Sequence, residues 1–206
     1  MLSKLLPYRI FDKFDDISPE YLTSLGVKFL FSDVDNTLAP YEVPEPDDRI
    51  RAWLDSLKDA GIKVILVSNN HGDRIELFNR TLGLDAYADC KKPGKKRLGE
   101  IMKSVGATAS DSAFLGDQIF TDVLSARNLG IKIALLVPPI KDKLTLFFRF
   151  KRLMEKPIIR IRGLKKNFTL TPGMFSGKRT IVRAGDDVTL DINEGEIVGL
   201  IGESGS

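Results

Sequence analysis

The chain has 206 residues, 43% of them hydrophobic, 29% charged and 8% aromatic, with a net charge of +3. These values exclude a disordered or collagen-like chain, and the net charge is too small to mark a nucleic-acid binder. At roughly 150 residues per domain, the length is more than one domain and less than two. No apolar run approaches the ~20 residues that cross a bilayer. The opening MLSKLLPYRIFDKFDD lacks the apolar core and cleavage site of a signal peptide. The single cysteine, Cys90, cannot form an internal disulfide, so a cytoplasmic protein is expected.

From 27 to 137, strand and helix signals alternate. Residues 27–32 form a short apolar stretch that runs into acidic residues, and 47–60 carry Ile50, Trp53, Leu54 and Leu57 at helical spacing before Gly61. Residues 62–67 are β-branched and nearly all apolar, as a strand buried on both faces should be. A helix follows with Ile75, Phe78 and Leu82 on one face, then a weak strand at 87–90. Leu98, Ile101, Met102 and Val105 mark the next helix. A short strand at 113–115, a helix at 121–129 and a strand at 131–137 complete the series. This succession predicts an α/β fold, a Rossmann-like parallel sheet with helices on both faces. Its ligand site should lie beyond the carboxyl ends of the strands.

Four strand ends carry reactive residues. Asp33 and Asp35 in DVDNTL are two apart, so along a continuing strand both face one side. Carboxylates that close resist joint ionisation, which suits one as nucleophile and the other as general acid. Asn36 and Thr37 of the same run are candidate substrate contacts. VSNN at 67–70 offers the Ser68 hydroxyl and the Asn69 amide as phosphate-oxygen donors, and KKP at 91–93 offers a fixed ammonium. GDQIFTD at 116–122 places Asp117 and Asp122 where a hard cation such as Mg²⁺ could be held. Each cluster alone has an ordinary explanation as a turn, a cap or a solvated pair. Four in order, each after a strand, do not.

A carboxylate attacking a phosphate meets charge repulsion, which Mg²⁺ between Asp33 and Asp117 would cancel with the help of Lys92 and Ser68. Thirty-four residues separate Asp33 from Ser68 and 23 separate Ser68 from Lys92, too few for a cap domain over the site. An open site suits a phosphate on a large or surface-bound molecule. The window 141–166 holds ten Lys or Arg with Leu144, Leu146, Phe147, Phe148, Phe150 and Leu153 interleaved. Two readings stand for it: a surface that, together with Leu5, Leu6, Phe11 and Phe14, meets anionic lipid through 141–156, or a last helix with its aromatic side on the domain and its charges in water. His71, at a helix start, is expected to face solvent.

The four clusters together resemble the haloacid dehalogenase (HAD) superfamily of aspartate-nucleophile phosphatases. Asp33-Val34-Asp35-Asn36-Thr37 matches its DxDx[TV] motif, Ser68 its second, a lysine its third and Gly116–Asp122 its GDxxxxD fourth. DNTL, VSNN, KP, GDQ and TDV at similar spacing, with a basic tail after a proline pair, resemble the bacterial YqeG-type phosphatases of subclass IIIA over about 1–156. The resemblance implies a HAD fold without a large cap and an aspartyl-phosphate on Asp33. Asp35 would serve as acid and then base, with its backbone carbonyl as a further Mg²⁺ ligand. Lys92, which precedes Pro93, is the motif lysine rather than Lys91, and Asp122 is read as acting on the metal indirectly. A relation to mitochondrial phosphatidylglycerophosphate phosphatases further suggests that lipid headgroup as substrate.

From about residue 157 the pattern changes to short alternating strands and a turn, ending in GESGS at 202–206. This resembles the opening of a phosphate-binding loop, G-x-x-x-x-G-K-[ST], before its second glycine and its lysine. With VRAGDDVTLDI and EGEIVGLIGESGS it resembles the start of ABC-transporter ATPases of the oligopeptide-importer type, Phe168 standing where an aromatic stacks on adenine. The phosphate-loop lysine, the Walker B acid and the signature sequence are missing, so no ATP binding is expected of this tail. The expected organisation is a phosphatase domain, 1–156, joined to a truncated ATPase fragment, 157–206, through gene fusion or a misjoined frame. Two other functions compete: a transport-ATPase fragment without activity, and a non-catalytic phosphate-binding scaffold.

Overall fold

The apolar runs that precede each reactive cluster are buried on both sides, as strands inside a parallel sheet must be. The computed structural model describes residues 4–141 in full, and residues 2–3 and the strands 159–170 and 180–192 by their backbone. The chain forms two units, Met1–Asp142 and Lys143–Ser206. The boundary expected at 156, the basic stretch from 142 to 156 and the GESGS loop lie outside the described residues.

In the first unit the strands are β1 (Arg9–Ile10), β2 (Phe29–Ser32), β3 (Lys63–Val67), β4 (Asp85–Tyr87), β5 (Ser112–Gly116) and β6 (Ile133–Leu136). They pair parallel in the order β1-β6-β5-β2-β3-β4. The helices are α1 (Pro19–Ser24), α2 (Asp48–Asp59), α3 (Gly72–Asn79), α4 (Lys95–Ser104) and α5 (Leu124–Asn128). The architecture is the Rossmann-like α/β fold the alternation predicts. Leu30, Val64, Leu66, Leu115 and Leu135 share a core with Trp53, Leu54 and Leu57 of α2 and with Ile75 and Phe78 of α3. The alternate residues Phe31, Ile65, Phe114 and Ala134 are as fully buried, on the opposite face that the pleat dictates. There Phe31 and Phe114 stack with centroids 6.4 Å apart.

Local chemistry sets the helix ends. Asp47 caps α2 by accepting the Ile50 N–H at 2.8 Å. Its buried residues recur at i, i+3, i+4 and i+7, and the Trp53 indole donates to the Ile17 carbonyl at 2.9 Å. Ser18 caps α1 in the same way, with Pro19 at the first helical position.

Three elements differ from the reading of the sequence. β1 carries no pattern of its own in two residues, and it is a strand because Arg9 and Ile10 align with Leu135 and Leu136 of β6. The weak strand expected at 87–90 lies instead at Asp85–Tyr87, because the chain leaves the ladder after Tyr87. Asp89 and Lys91 take left-handed backbone angles of 47° and 55°. The helix expected from 121 opens earlier, with a wide π turn over Ile119–Val123 before α5. In the second unit β7 (Ile159–Leu170) and β8 (Thr180–Ile192) pair antiparallel with several register shifts.

Candidate active site

The chain runs from β2 through β3 to β4 on one side, then returns to β5 and β6 on the other. β2 and β5 therefore flank the point where strand order reverses, the crevice in which such sheets bind ligands. Register does the assembly. Ser32 aligns with both Leu66 of β3 and Leu115 of β5. One residue on, Asp33 stands level with Val67 and Gly116, and its N–H continues the ladder to the Leu115 carbonyl at 2.9 Å. Ser68 and Asp117 come one residue beyond, so three separate sequence clusters reach one place.

Lys92 joins them. Its ammonium donates to Asp33 Oδ1 at 2.6 Å and to the Val67 carbonyl at 3.0 Å, and pairs with Asp122 Oδ1 at 2.8 Å. Its side chain is 3% exposed, so these contacts replace water completely. Burial pulls its pKa down, but Asp122 and Asp33 outweigh that and hold the ammonium above its usual range. Burial raises the Asp33 carboxyl to about 6; Lys92 opposes the shift, and Asp122 and then Asp35 add to it. The nearness of Asp35, which the DxD spacing brought forward as the reason for a raised carboxyl, is thus the smallest of these causes.

The aspartates 33 and 35 answer to different partners. Thr37 Oγ1 donates to Asp33 Oδ2 at 3.3 Å. Asp35 accepts from the Asn70 side-chain amide at 2.5 Å on Oδ2 and from Arg74 Nε at 3.1 Å on Oδ1. The split arises because the chain turns immediately: Asn36 takes a left-handed φ of 64°, which Asn tolerates better than most residues. Its N–H bonds the Ala39 carbonyl at 2.7 Å.

Carboxylate oxygens of Asp33, Asp117 and Asp122, all three buried, lie within 4.8 Å of one another. Ionised, three carboxylates and the Lys92 ammonium leave two negative charges in a buried place, and all the donors are oxygens. That set fits a hard divalent cation. Asp122 is drawn in by the Gln118 N–H, which donates to its Oδ2 at 3.1 Å. Gly116 makes room for it, since a Cβ there would fall on the Asp122 side chain.

Asp33, Asp35, Ser68, Lys92, Asp117 and Asp122 are all buried around this crevice. The candidate substrate contacts have other partners. Thr37 faces Asp33, Asn36 shapes the turn, and Asn69 is turned onto the main chain of Lys92. There its Oδ1 accepts the Lys92 N–H at 2.6 Å and its Nδ2 donates to the Lys92 carbonyl at 3.0 Å. Asn69 therefore places the lysine. The Ser68 hydroxyl accepts the Asn70 N–H at 3.0 Å. His71 is 94% exposed, 3.5 Å from Asp89. Asn70 and Arg74 are partners of Asp35 that sequence motifs do not mark. The legible signal is an arginine one helical turn after VSNN, four residues from Asn70 and able to meet the second DxD carboxylate.

A family model for haloacid dehalogenase-like hydrolases matches residues 7–136. The protein named Probable phosphatase YqeG, from Bacillus subtilis (strain 168), is 33% identical over 160 residues, 77% of this chain and 92% of that protein. The chain belongs to the haloacid dehalogenase-like hydrolases. Within that family it falls among the phosphatases. Among solved structures, the cobalt-bound deoxy-D-mannose-octulosonate 8-phosphate phosphatase of Haemophilus influenzae is 22% identical, with a TM-score of 0.40 over 45% of this chain and 60% of that one. An uncharacterized protein of Listeria monocytogenes serotype 4b is 17% identical, with a TM-score of 0.45 over 58% and 86%.

Proposed function

We propose that this protein is a Mg²⁺-dependent phosphomonoesterase that works through an aspartyl-phosphate on Asp33. The observation that carries the reading is Asp33 itself. It is a buried carboxylate at the sheet's switch point, with Lys92 on one oxygen and Thr37 on the other. Held this way, Asp33 can present an oxygen lone pair to phosphorus while Lys92 and the Ser68 hydroxyl offset phosphate charge. Asp35 gives a proton to the leaving oxygen, then takes one from the water that hydrolyses the aspartyl-phosphate. Asp33, Asp117 and the Asp35 carbonyl would hold Mg²⁺, with Asp122 acting through Lys92 or water. When bound, the ion would supply charge neutralisation and polarise the phosphoryl oxygens.

Asp33→Asn keeps the shape of the side chain and is expected to abolish turnover with little change in melting temperature. An acid-quenched, hydroxylamine-labile phosphoryl adduct should form on the wild type and be absent from the variant. Full activity in Asp33→Asn would sink the mechanism.

The segments between Asp33 and Lys92 hold a short loop, α2, β3, α3 and β4 and no cap domain, which favours a phosphate on a large or membrane-borne molecule. Phosphatidylglycerophosphate is the first substrate to try. For 157–206 we keep the ATPase-fragment reading, with two antiparallel strands as its supporting feature and no ATP binding expected.

A further inference from the structure

Arg74 lies outside the motifs of the family, yet it is the cation that meets Asp35. Its Nε and Nη2 both reach Asp35 Oδ1 at 3.1 Å. The two side chains are 11% and 8% exposed, so the pair is largely removed from water, unlike an ion pair on an open surface. The guanidinium also reaches the carbonyls of Pro44 and Pro40, each at 3.5 Å. It lies 5.2 Å from the Phe78 ring and 5.9 Å from that of Tyr41. One side chain of α3 thus ties the loop after Asp35 to the carboxylate that the proposed reaction uses as acid and base. Asn70 takes the other oxygen of that carboxylate.

We infer that Arg74 is a positioning residue: it fixes the orientation of Asp35 and meets the negative charge that Asp35 acquires as it protonates the leaving group. In that step an Asp33 oxygen forms a bond to phosphorus, the bond from phosphorus to the leaving oxygen breaks, and the Asp35 proton passes to that oxygen. Charge appears on Asp35 as the bond breaks, so a fixed cation beside it acts on the transition state more than on the bound substrate. A planar guanidinium that donates from Nε to the carboxylate while Nη1 and Nη2 reach the Pro44 and Pro40 carbonyls fixes direction as well as charge, which an ammonium cannot reproduce. This inference rests on the phosphatase reading above.

The test compares leaving groups. A basic alkoxide needs the proton from Asp35, whereas nitrophenolate departs without it. The full chain with Mg²⁺ is assayed on glycerol phosphate and on p-nitrophenyl phosphate, reading kcat/KM because hydrolysis of the aspartyl-phosphate does not enter it. Arg74→Met is expected to lower kcat/KM for the alkyl ester about 100-fold and for the nitrophenyl ester by less than about threefold. Arg74→Lys should recover about tenfold of the alkyl loss. Asp35→Asn should show the same selectivity, and combining it with Arg74→Met should add little. Equal losses on both esters would mean a structural or phosphate-binding role and would overturn the inference, as would no loss on either. A wild type that hydrolyses neither ester nor any other phosphomonoester would instead bring down the phosphatase reading, and this inference with it.

Discussion

Asp33 shows how far one residue's surroundings can redirect it. An aspartate in water is ionised well below neutral pH, yet burial lifts this one from 3.8 to about 6. Between those values the native protein binds a proton that the unfolded chain does not. This group therefore stabilises the metal-free fold at low pH, and the contribution is lost as pH rises through about 6. A cation held by Asp33 reverses that dependence, because it must displace the proton. The rise in melting temperature on adding Mg²⁺ should be constant above neutrality and shrink below pH 6, with apparent affinity falling about tenfold per pH unit. A Mg²⁺ shift that stays constant down to pH 5 would remove Asp33 from the ligand set.

At the scale of elements, β5 and the π turn after it act as one device. β5 is buried along its length, and a Cβ on its last residue, Gly116, would collide with Asp122. The turn brings the Asp122 carboxylate back over the strand end to meet both the Gln118 N–H and Lys92. Gly116→Ala should therefore push Asp122 out of this position. We expect a loss of about 1–3 kcal/mol in stability, as overpacking gives, together with a weaker Mg²⁺ shift in the same thermal melts. An Ala variant with unchanged melting and unchanged Mg²⁺ response would show that Asp122 keeps its place beside an added Cβ and that Gly116 is not what admits it. The same device explains why the helix expected from 121 begins early. Apolar periodicity marks a helix, while the wide first turn, in which the Val123 N–H reaches back to the Gln118 carbonyl, leaves no mark in that periodicity.

At the scale of the whole molecule, the described residues between Asp33 and Lys92 form no cap domain, and no described helix is long and apolar enough to cross a membrane. If the substrate is membrane-borne, the protein must come to the lipid. Phe14, expected at that contact, is instead buried in the core against Trp53; Tyr41 and Val43 are exposed on the loop that Arg74 ties to Asp35, and the basic, aromatic run 141–156 is a further candidate contact in the sequence. Full-length protein should sediment with vesicles rich in anionic phosphatidylglycerol and be released by salt. Equal sedimentation with neutral vesicles, or none with either, would favour a soluble phosphorylated partner.

Much of this is legible in the amino-acid sequence, because a strand buried on both faces must be written as an apolar run, and such runs end where chemistry begins. Asp33, Ser68, Lys92 and Asp117 each come after a strand, and local pattern alone places them at the same edge of a parallel sheet. Local pattern also changes near residue 157, where the alternation of strand and helix gives way to short strands and a turn. It does not reveal which donor meets which acceptor. Asn69, a phosphate donor by its place after β3, instead holds the Lys92 main chain, and Arg74 meets Asp35 although no motif marks it. Hydrogen bonds between residues 23 and 39 positions apart depend on the register of neighbouring strands and the pitch of α3. The sequence by itself determined the alternation, the strand ends and the residues that crowd there. Only the tertiary structure decided how those residues divide between partners, because burial in one crevice takes water away and leaves the neighbours that register and helix pitch bring within reach.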